Sequence, residues 1–260
     1  MKVYISNNID ALAAVAADEI EASLRRSAAP VLGLATGSSP LPVYRELARR
    51  VKLGLDLTEV TAFALDEYVG IPVEHPQCYA QVIRREAQIP LGLDAARVFV
   101  PNGRATDLSE ACVEYEKAIA SVGGIDVQIL GIGSDGHIGF NEPSSSLASR
   151  TRVVALTAET RRDNARFFGS ADEVPTTCVT QGIGTIRESG SIVLIAQGRT
   201  KSAAVAAMVE GPVSAVCPAS ALQLHPKVTI LLDEQAAVEL RFADYYRASY
   251  TVAELVQDDS

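Results

Sequence analysis

The chain has 260 residues, enough to bury a sizeable apolar core without a disulfide or metal staple. With 48% hydrophobic and 21% charged residues, its composition is that of an ordinary globular protein. A formal net charge of −9 argues against nucleic acid or an anionic membrane surface as a partner, because no basic surplus exists to neutralise phosphates.

From the N-terminus, "KVYIS" reads as an edge strand and "IDALAAVAADEIEASLRR" as an amphipathic helix, with Leu12, Val15, Ala16, Glu19 and Ile20 at helical spacing. "VLGLATG" carries no charge and reads as a buried strand. "PLPVYRELARRVK" follows as a helix with proline in its first turn. "VTAFAL" is a strand ending at Asp66, "YAQVIRREAQ" a helix, "RVFVP" a strand, and "LSEACVEYEKAIASVGG" a helix closed by glycine. "DVQILGIG" is a strand running into a glycine-rich segment. The second half repeats the rhythm: strand "TRVVALT", helix "AETRRDNARFF", strand "SIVLIAQG", helix "TKSAAVAAMVEG" and strand "KVTILLD". Uncharged strands alternating with helices predict an α/β fold with an open, mostly parallel sheet covered by helices on both faces. No linker interrupts the pattern, so residues 1–260 are read as one domain.

The four cysteines are dispersed and form no CxxC, which suits reduced thiols in a cytoplasmic protein. Asp10, Asp18 and Glu19 interrupt the N-terminal segment, which therefore lacks a signal-peptide core, and no apolar run is long enough to span a bilayer.

Three polar loops begin where predicted strands end, the edge at which open α/β sheets bind ligands. In "ATGSSP", Thr36, Gly37, Ser38 and Ser39 lead from a strand into a helix, where free N–H groups can hold an anion. Plain capping of the helix by Ser39 is an equal alternative. The loop is neither a Walker A nor a GxGxxG motif. In "LDEYVG", Asp66 and Glu67 end an apolar strand; a carboxylate there can act as a base, or simply brace a solvated turn.

The third loop, "GIGSDGHIGFNEP", places His137, one of only three histidines, between Asp135 and Glu142. A carboxylate bonded to one ring nitrogen fixes the tautomer and leaves the other nitrogen for substrate. Three ligand-type side chains also admit a divalent metal, but His75 and His225 have no matching neighbours to complete a ligand set. A loop-bracing histidine is the bland alternative. Arg166 and Lys201 follow later strands, and either can close on a phosphate.

Taken together and in order, "LDEYVG", "SDGHIGFNEP", "SSLASRTRVVALT" and "LQLHPK" resemble the glucosamine-6-phosphate deaminase family, the segment from Gly133 to Arg152 most specifically. A more distant likeness is to 6-phosphogluconolactonase, which shares the Gly-x-Asp-Gly-His core but is not expected to carry "FNEP" or "LDEYVG". The resemblance implies a modified Rossmann-type sheet and a reaction with no cofactor and no metal. It implies that glucosamine 6-phosphate and water become fructose 6-phosphate and ammonia, in amino-sugar catabolism. It assigns Asp66 as the base at the sugar carbons and His137 as the ring-opening residue, supported by Asp135 and Glu142. It assigns Thr36 to Ser39, Arg166 and Lys201 to the phosphate. The expected partner is an amino-sugar phosphate, with self-association of the chain left open. Allosteric members of the family bind N-acetylglucosamine 6-phosphate at a subunit interface. Ser145 and Arg152 match that pattern, whereas Val154 and Ala155 stand where lysine and threonine are expected. A hydrolase that uses His137 alone, and a silent sugar-phosphate sensor, are the competing readings.

Overall fold

The structure is a computed structural model, and it describes residues 1–249. The final stretch of the expected 1–260 unit, residues 250–260, lies outside the described residues. In chain order the elements are β1 (Lys2–Ile5), α1 (Ile9–Leu24), β2 (Val31–Leu34), α2 (Leu41–Lys52), β3 (Thr61–Ala64), β4 (Asp66–Tyr68), α3 (Tyr79–Ile83), α4 (Ile89–Leu91) and β5 (Val98–Phe99). There follow α5 (Leu108–Ser121), β6 (Val127–Leu130), β7 (Arg152–Ala155), α6 (Ala158–Asn164), β8 (Thr177–Thr180), α7 (Ile183–Arg187), β9 (Ile192–Ala196), α8 (Ser202–Glu210) and β10 (Val228–Leu232).

Seven strands form one parallel sheet in the order β1-β10-β9-β6-β2-β3-β5. β2, β6, β9 and β10 are buried at every position, as strands covered on both faces must be. The apolar face of α1, through Leu12, Ala16 and Ile20, joins the main core with Leu47 of α2 and the sheet residues Leu32, Ile129 and Leu194. Asn8 caps α1 by accepting from Ala11 N, and Asp107 caps α5 by accepting from Glu110 N. β1 lies at the edge, as the sequence predicts.

After β2 the chain runs outward through β3 to β5, then returns to place β6 on the other side of β2. The sheet therefore reverses direction between β2 and β6. The loops leaving those two strands at their carboxyl ends meet at this switch point: a methyl group built on Gly131 would lie 3.3 Å from Ser39 Cβ.

A second, three-stranded antiparallel sheet, β4-β8-β7, stands apart from the first. This corrects two expectations. "TRVVALT" is not part of the parallel sheet, and its half-buried alternation along β7 is the pattern of an antiparallel strand with one wet face. Asp66 is also not in a loop, since it opens β4 after the single residue Leu65. β8 was not anticipated, because "TCVT" is short and bounded by unremarkable residues. No helix among the described residues is long and apolar enough to cross a membrane.

Candidate active site

Four neighbouring strands of the main sheet, β9, β6, β2 and β3, send their carboxyl-end segments into one cavity of about 590 Å³. Thr36–Ser39 follow β2, Asp66 follows β3, Gly133–His137 follow β6, and Lys201 follows β9. Arg166 reaches the same cavity from the turn after α6. The volume is that of a small-metabolite site. All four catalytic expectations, Asp66, His137 and, through it, Asp135 and Glu142, thus converge with all of the expected phosphate residues.

The Thr36–Ser39 segment leads from β2 into α2. Capping by Ser39 does not occur: Pro40 takes the cap position of α2 and makes no side-chain cap bond. The N–H groups of Gly37, Ser38 and Ser39 have no protein acceptor among the described residues. Gly37 has φ +87°, which turns the backbone in a way closed to most side chains. Lys201 faces the same space. Its pKa is lowered first by burial and then by Arg166, against the raising pull of Asp163, Asp135 and Glu159. Gly198, at φ +86°, donates its N–H to both carboxylate oxygens of Asp233 at 3.0 and 2.9 Å, which anchors the turn carrying Lys201.

Asp66 is 5% exposed, and no hydrogen bond or ion pair engages its carboxyl among the described residues. Burial, followed by the charge of Glu67, holds its pKa well above the ordinary carboxylate value. An unengaged carboxyl of raised pKa at a cavity wall is suited to take a proton from carbon. Glu67, 1% exposed, does something different. Its carboxylate accepts from the N–H of Tyr68, Tyr79 and Ala80 at 2.9, 3.0 and 3.1 Å and from the Cys78 thiol at 3.1 Å. It is the anchor that ties β4 to the start of α3.

His137 Nδ1 stands 2.7 Å from Asp135 Oδ1 and 3.7 Å from Glu142 Oε2. Neither contact is aligned as a straight hydrogen bond, so Nδ1 and Glu142 Oε2 remain buried polar atoms beside one another. Asp135 also accepts from the His137 N–H at 3.1 Å. Burial raises Asp135, but the adjacent His137 and Glu142 outweigh this and hold it below the usual carboxylate range. Glu142 is shifted the other way, by burial and by Asp135. One carboxylate is thus kept ionised beside Nδ1 while its neighbour more readily keeps a proton. Asp135, His137 and Glu142 place their ligand atoms within 4.8 Å of one another, so the geometry would also accommodate a divalent cation.

Gly133 makes this arrangement sterically possible, since a methyl group there would fall on the imidazole. The other histidines are structural. His225 Nδ1 accepts from Lys227 N at 3.1 Å, so its Nε2–H donates to Ser189 O at 2.7 Å. His75 Nδ1 accepts from Gln77 N, and its ring stacks on Phe168.

Sequence reasoning missed the aromatic wall of the cavity, Tyr68, Tyr79, Phe140 and Phe168. Tyr68 was findable: it lies two residues after Asp66, on the same face of a strand. Ser134, Glu159 and Asp163 form a polar cluster at the cavity, with Ser134 Oγ donating to Asp163 at 2.9 Å. Ser145 and Arg152 are brought together outside the cavity, with Arg152 Nη2 donating to Ser145 Oγ at 3.0 Å.

An open parallel sheet with unpaired N–H groups at its switch point, and a carboxyl of raised pKa and an imidazole facing one cavity, defines an α/β enzyme. Residues 6–231 match the model of the family described as glucosamine-6-phosphate isomerases/6-phosphogluconolactonase, and the chain belongs to that family. It is 57% identical over 251 residues to the glucosamine-6-phosphate deaminase of Arthrobacter sp. (strain FB24), covering 96% of each chain. A solved monomeric glucosamine-6-phosphate deaminase superposes with a TM-score of 0.89 at 41% identity, over 92% of this chain and all of the other (100%). A 6-phosphogluconolactonase from Thermotoga maritima shares the fold, with a TM-score of 0.71 at 19% identity over 90% of this chain and 99% of that one.

Proposed function

We propose that this chain converts glucosamine 6-phosphate and water into fructose 6-phosphate and ammonia. The observation that carries the reading is the meeting of Asp66 and His137 at one cavity with an anion cradle and two cations.

The substrate is a closed hemiacetal, which has no carbonyl to acidify its neighbouring carbon. The phosphate sits on the Gly37–Ser39 N–H groups, with Lys201 and Arg166 supplying charge. His137, flanked at Nδ1 by Asp135 and Glu142, presents Nε2 to the sugar. It takes the proton of the anomeric hydroxyl and delivers one to the ring oxygen, giving the open aldehyde. The aldehyde acidifies the hydrogen on carbon 2. Asp66 removes it while the aldehyde oxygen takes a proton from the neighbouring ammonium group, giving an enolamine; Asp66 then returns its proton to carbon 1, which leaves an iminium at carbon 2. Water adds there, the carbon–nitrogen bond breaks, and ammonia leaves with a ketone in its place.

A single chain supplies every residue in this scheme, so the reading needs no second copy, and the solved relative is described as monomeric. The four free cysteines suit a cytoplasmic setting. The purified protein is expected to release ammonia and fructose 6-phosphate in equal amounts from glucosamine 6-phosphate. Hydrolysis of 6-phosphogluconolactone without ammonia release from the amino sugar would replace this reading with a lactonase. Binding of the sugar phosphate without turnover would replace it with a sensor.

A further inference from the structure

The segment Ile138–Glu142 lies across one row of the small sheet. Thr180 in β8 is the register partner of Asp66 on one side and of Arg152 on the other. In an antiparallel sheet such a row shares one face. The segment bonds to two members and passes beside the third. A methyl group on Gly139 would lie 3.5 Å from Asp66 Oδ2, Phe140 N donates to Thr180 Oγ1 at 3.1 Å, and Arg152 Nη1 donates to Asn141 Oδ1 at 2.8 Å.

Asn141 is fully buried, and its amide is used on every side. Nδ2 donates to Ile138 O at 2.9 Å and to Gln181 O at 2.8 Å. Ile138 is the residue after His137. Gln181 in turn donates its backbone N–H to Leu65 O at 2.8 Å and its side-chain amide to Ala64 O at 3.0 Å, directly before Asp66. The orientation of the Asn141 amide is unambiguous, because arginine can only donate and the two carbonyls can only accept.

We propose that Asn141 is a positioning residue for the reaction, and that Arg152 holds it in place. Its two donated bonds brace the loop that carries His137 and tie it to Gln181, which in turn holds Ala64 and Leu65, the two residues before Asp66. They fix the distance between the two groups that act in turn on one sugar. This inference rests on the roles proposed above for Asp66 and His137. Its chemistry demands such a tie: both groups must reach neighbouring carbons of a single bound substrate, and a misplacement of about 1 Å costs on the order of a hundredfold.

The test compares Asn141→Asp and Arg152→Gln with the wild type and with Asp66→Asn. Asn141→Asp keeps the shape and the acceptor for Arg152 but removes both donors. We expect its kcat to fall by about tenfold to a hundredfold. Arg152→Gln should lose less, in the same direction. In both, KM for glucosamine 6-phosphate and inhibition by inorganic phosphate should stay within about twofold, because the anion cradle is untouched. A merely structural role would lower the yield of folded protein without this split between kcat and KM. Wild-type kcat in both variants, or losses that follow phosphate affinity, would overturn the inference. If Asn141→Asp does not fold, Arg152→Gln decides by the same criteria. An active Asp66→Asn would instead overturn the reading beneath it, whatever the Asn141 variants do.

Discussion

Asp66 and Glu67 are adjacent carboxylates with opposite employment, and hydrogen bonding separates them. Glu67 is saturated by three backbone N–H groups and a thiol, whereas Asp66 is left facing the cavity with its pKa raised by burial and by Glu67. A raised pKa means the base is protonated, and inactive, at acid pH. The acid limb of kcat/KM should therefore lie above the ordinary carboxylate range of about 4. The same shift means that the folded state loses stability as pH rises through the titration of Asp66, since ionising it costs more when folded. Asp66→Asn should accordingly raise the melting temperature at neutral pH, read by a thermal scan against wild type. His137→Gln should slow the cyclic sugar more than an open-chain analogue, because the imidazole is assigned to ring opening. Equal losses with both would assign it elsewhere. A chelator such as EDTA should leave the wild-type rate unchanged, whereas loss restored by a divalent metal would give the Asp135–His137–Glu142 cluster a metal. Lys201→Ala should raise KM for the phosphorylated sugar by about tenfold to a hundredfold, from a lost charge-assisted bond of roughly 1.5–3 kcal/mol. An unchanged KM would remove Lys201 from the phosphate.

Among the elements, the strand-to-loop junctions carry the function. Gly133 is the clearest case, because its missing side chain is the floor on which the imidazole lies. Gly133→Ala should displace His137 and lower turnover by at least about tenfold, with the phosphate affinity kept, as steady-state kinetics with inorganic phosphate as inhibitor will show. The parallel strands were legible in the sequence because complete burial writes itself as unbroken apolar runs such as "VLGL" and "IVLIA". The small sheet was not. β4 is "DEY", whose charges read as a loop until one sees that Glu67 is satisfied inside the protein and Asp66 faces the site. Tertiary hydrogen bonding, which no local pattern reports, overrode strand propensity there. Asn141 escaped for the same reason: its partners Arg152 and Gln181 are distant in sequence, and only the fold brings them within reach.

At the scale of the molecule, the site forms where the parallel sheet changes direction, and the small sheet presses Asp66 against the loop of His137. The loops that meet at the cavity were legible because glycine, histidine and hydroxyl side chains stood at predicted strand ends. Arg166 and Lys201 follow predicted later strands, but nothing near them in sequence marks them, and it is the fold that brings both to the cavity. Regulation is a property of the same scale. Arg152 is already bonded to Asn141 and Ser145, and Val154 and Ala155 offer no side-chain donor beside it. An effector shifts an equilibrium only by its differential affinity for two states. The rate should depend hyperbolically on substrate, with no activation by N-acetylglucosamine 6-phosphate; a sigmoidal curve made hyperbolic by that compound would contradict this. The role of Asp66 as the base of an amino-sugar phosphate deaminase is checked by ammonia release from glucosamine 6-phosphate by the wild type and Asp66→Asn in parallel. Release by the wild type and a loss of about a hundredfold to ten-thousandfold in the folded variant are expected. Equal release by both would contradict it.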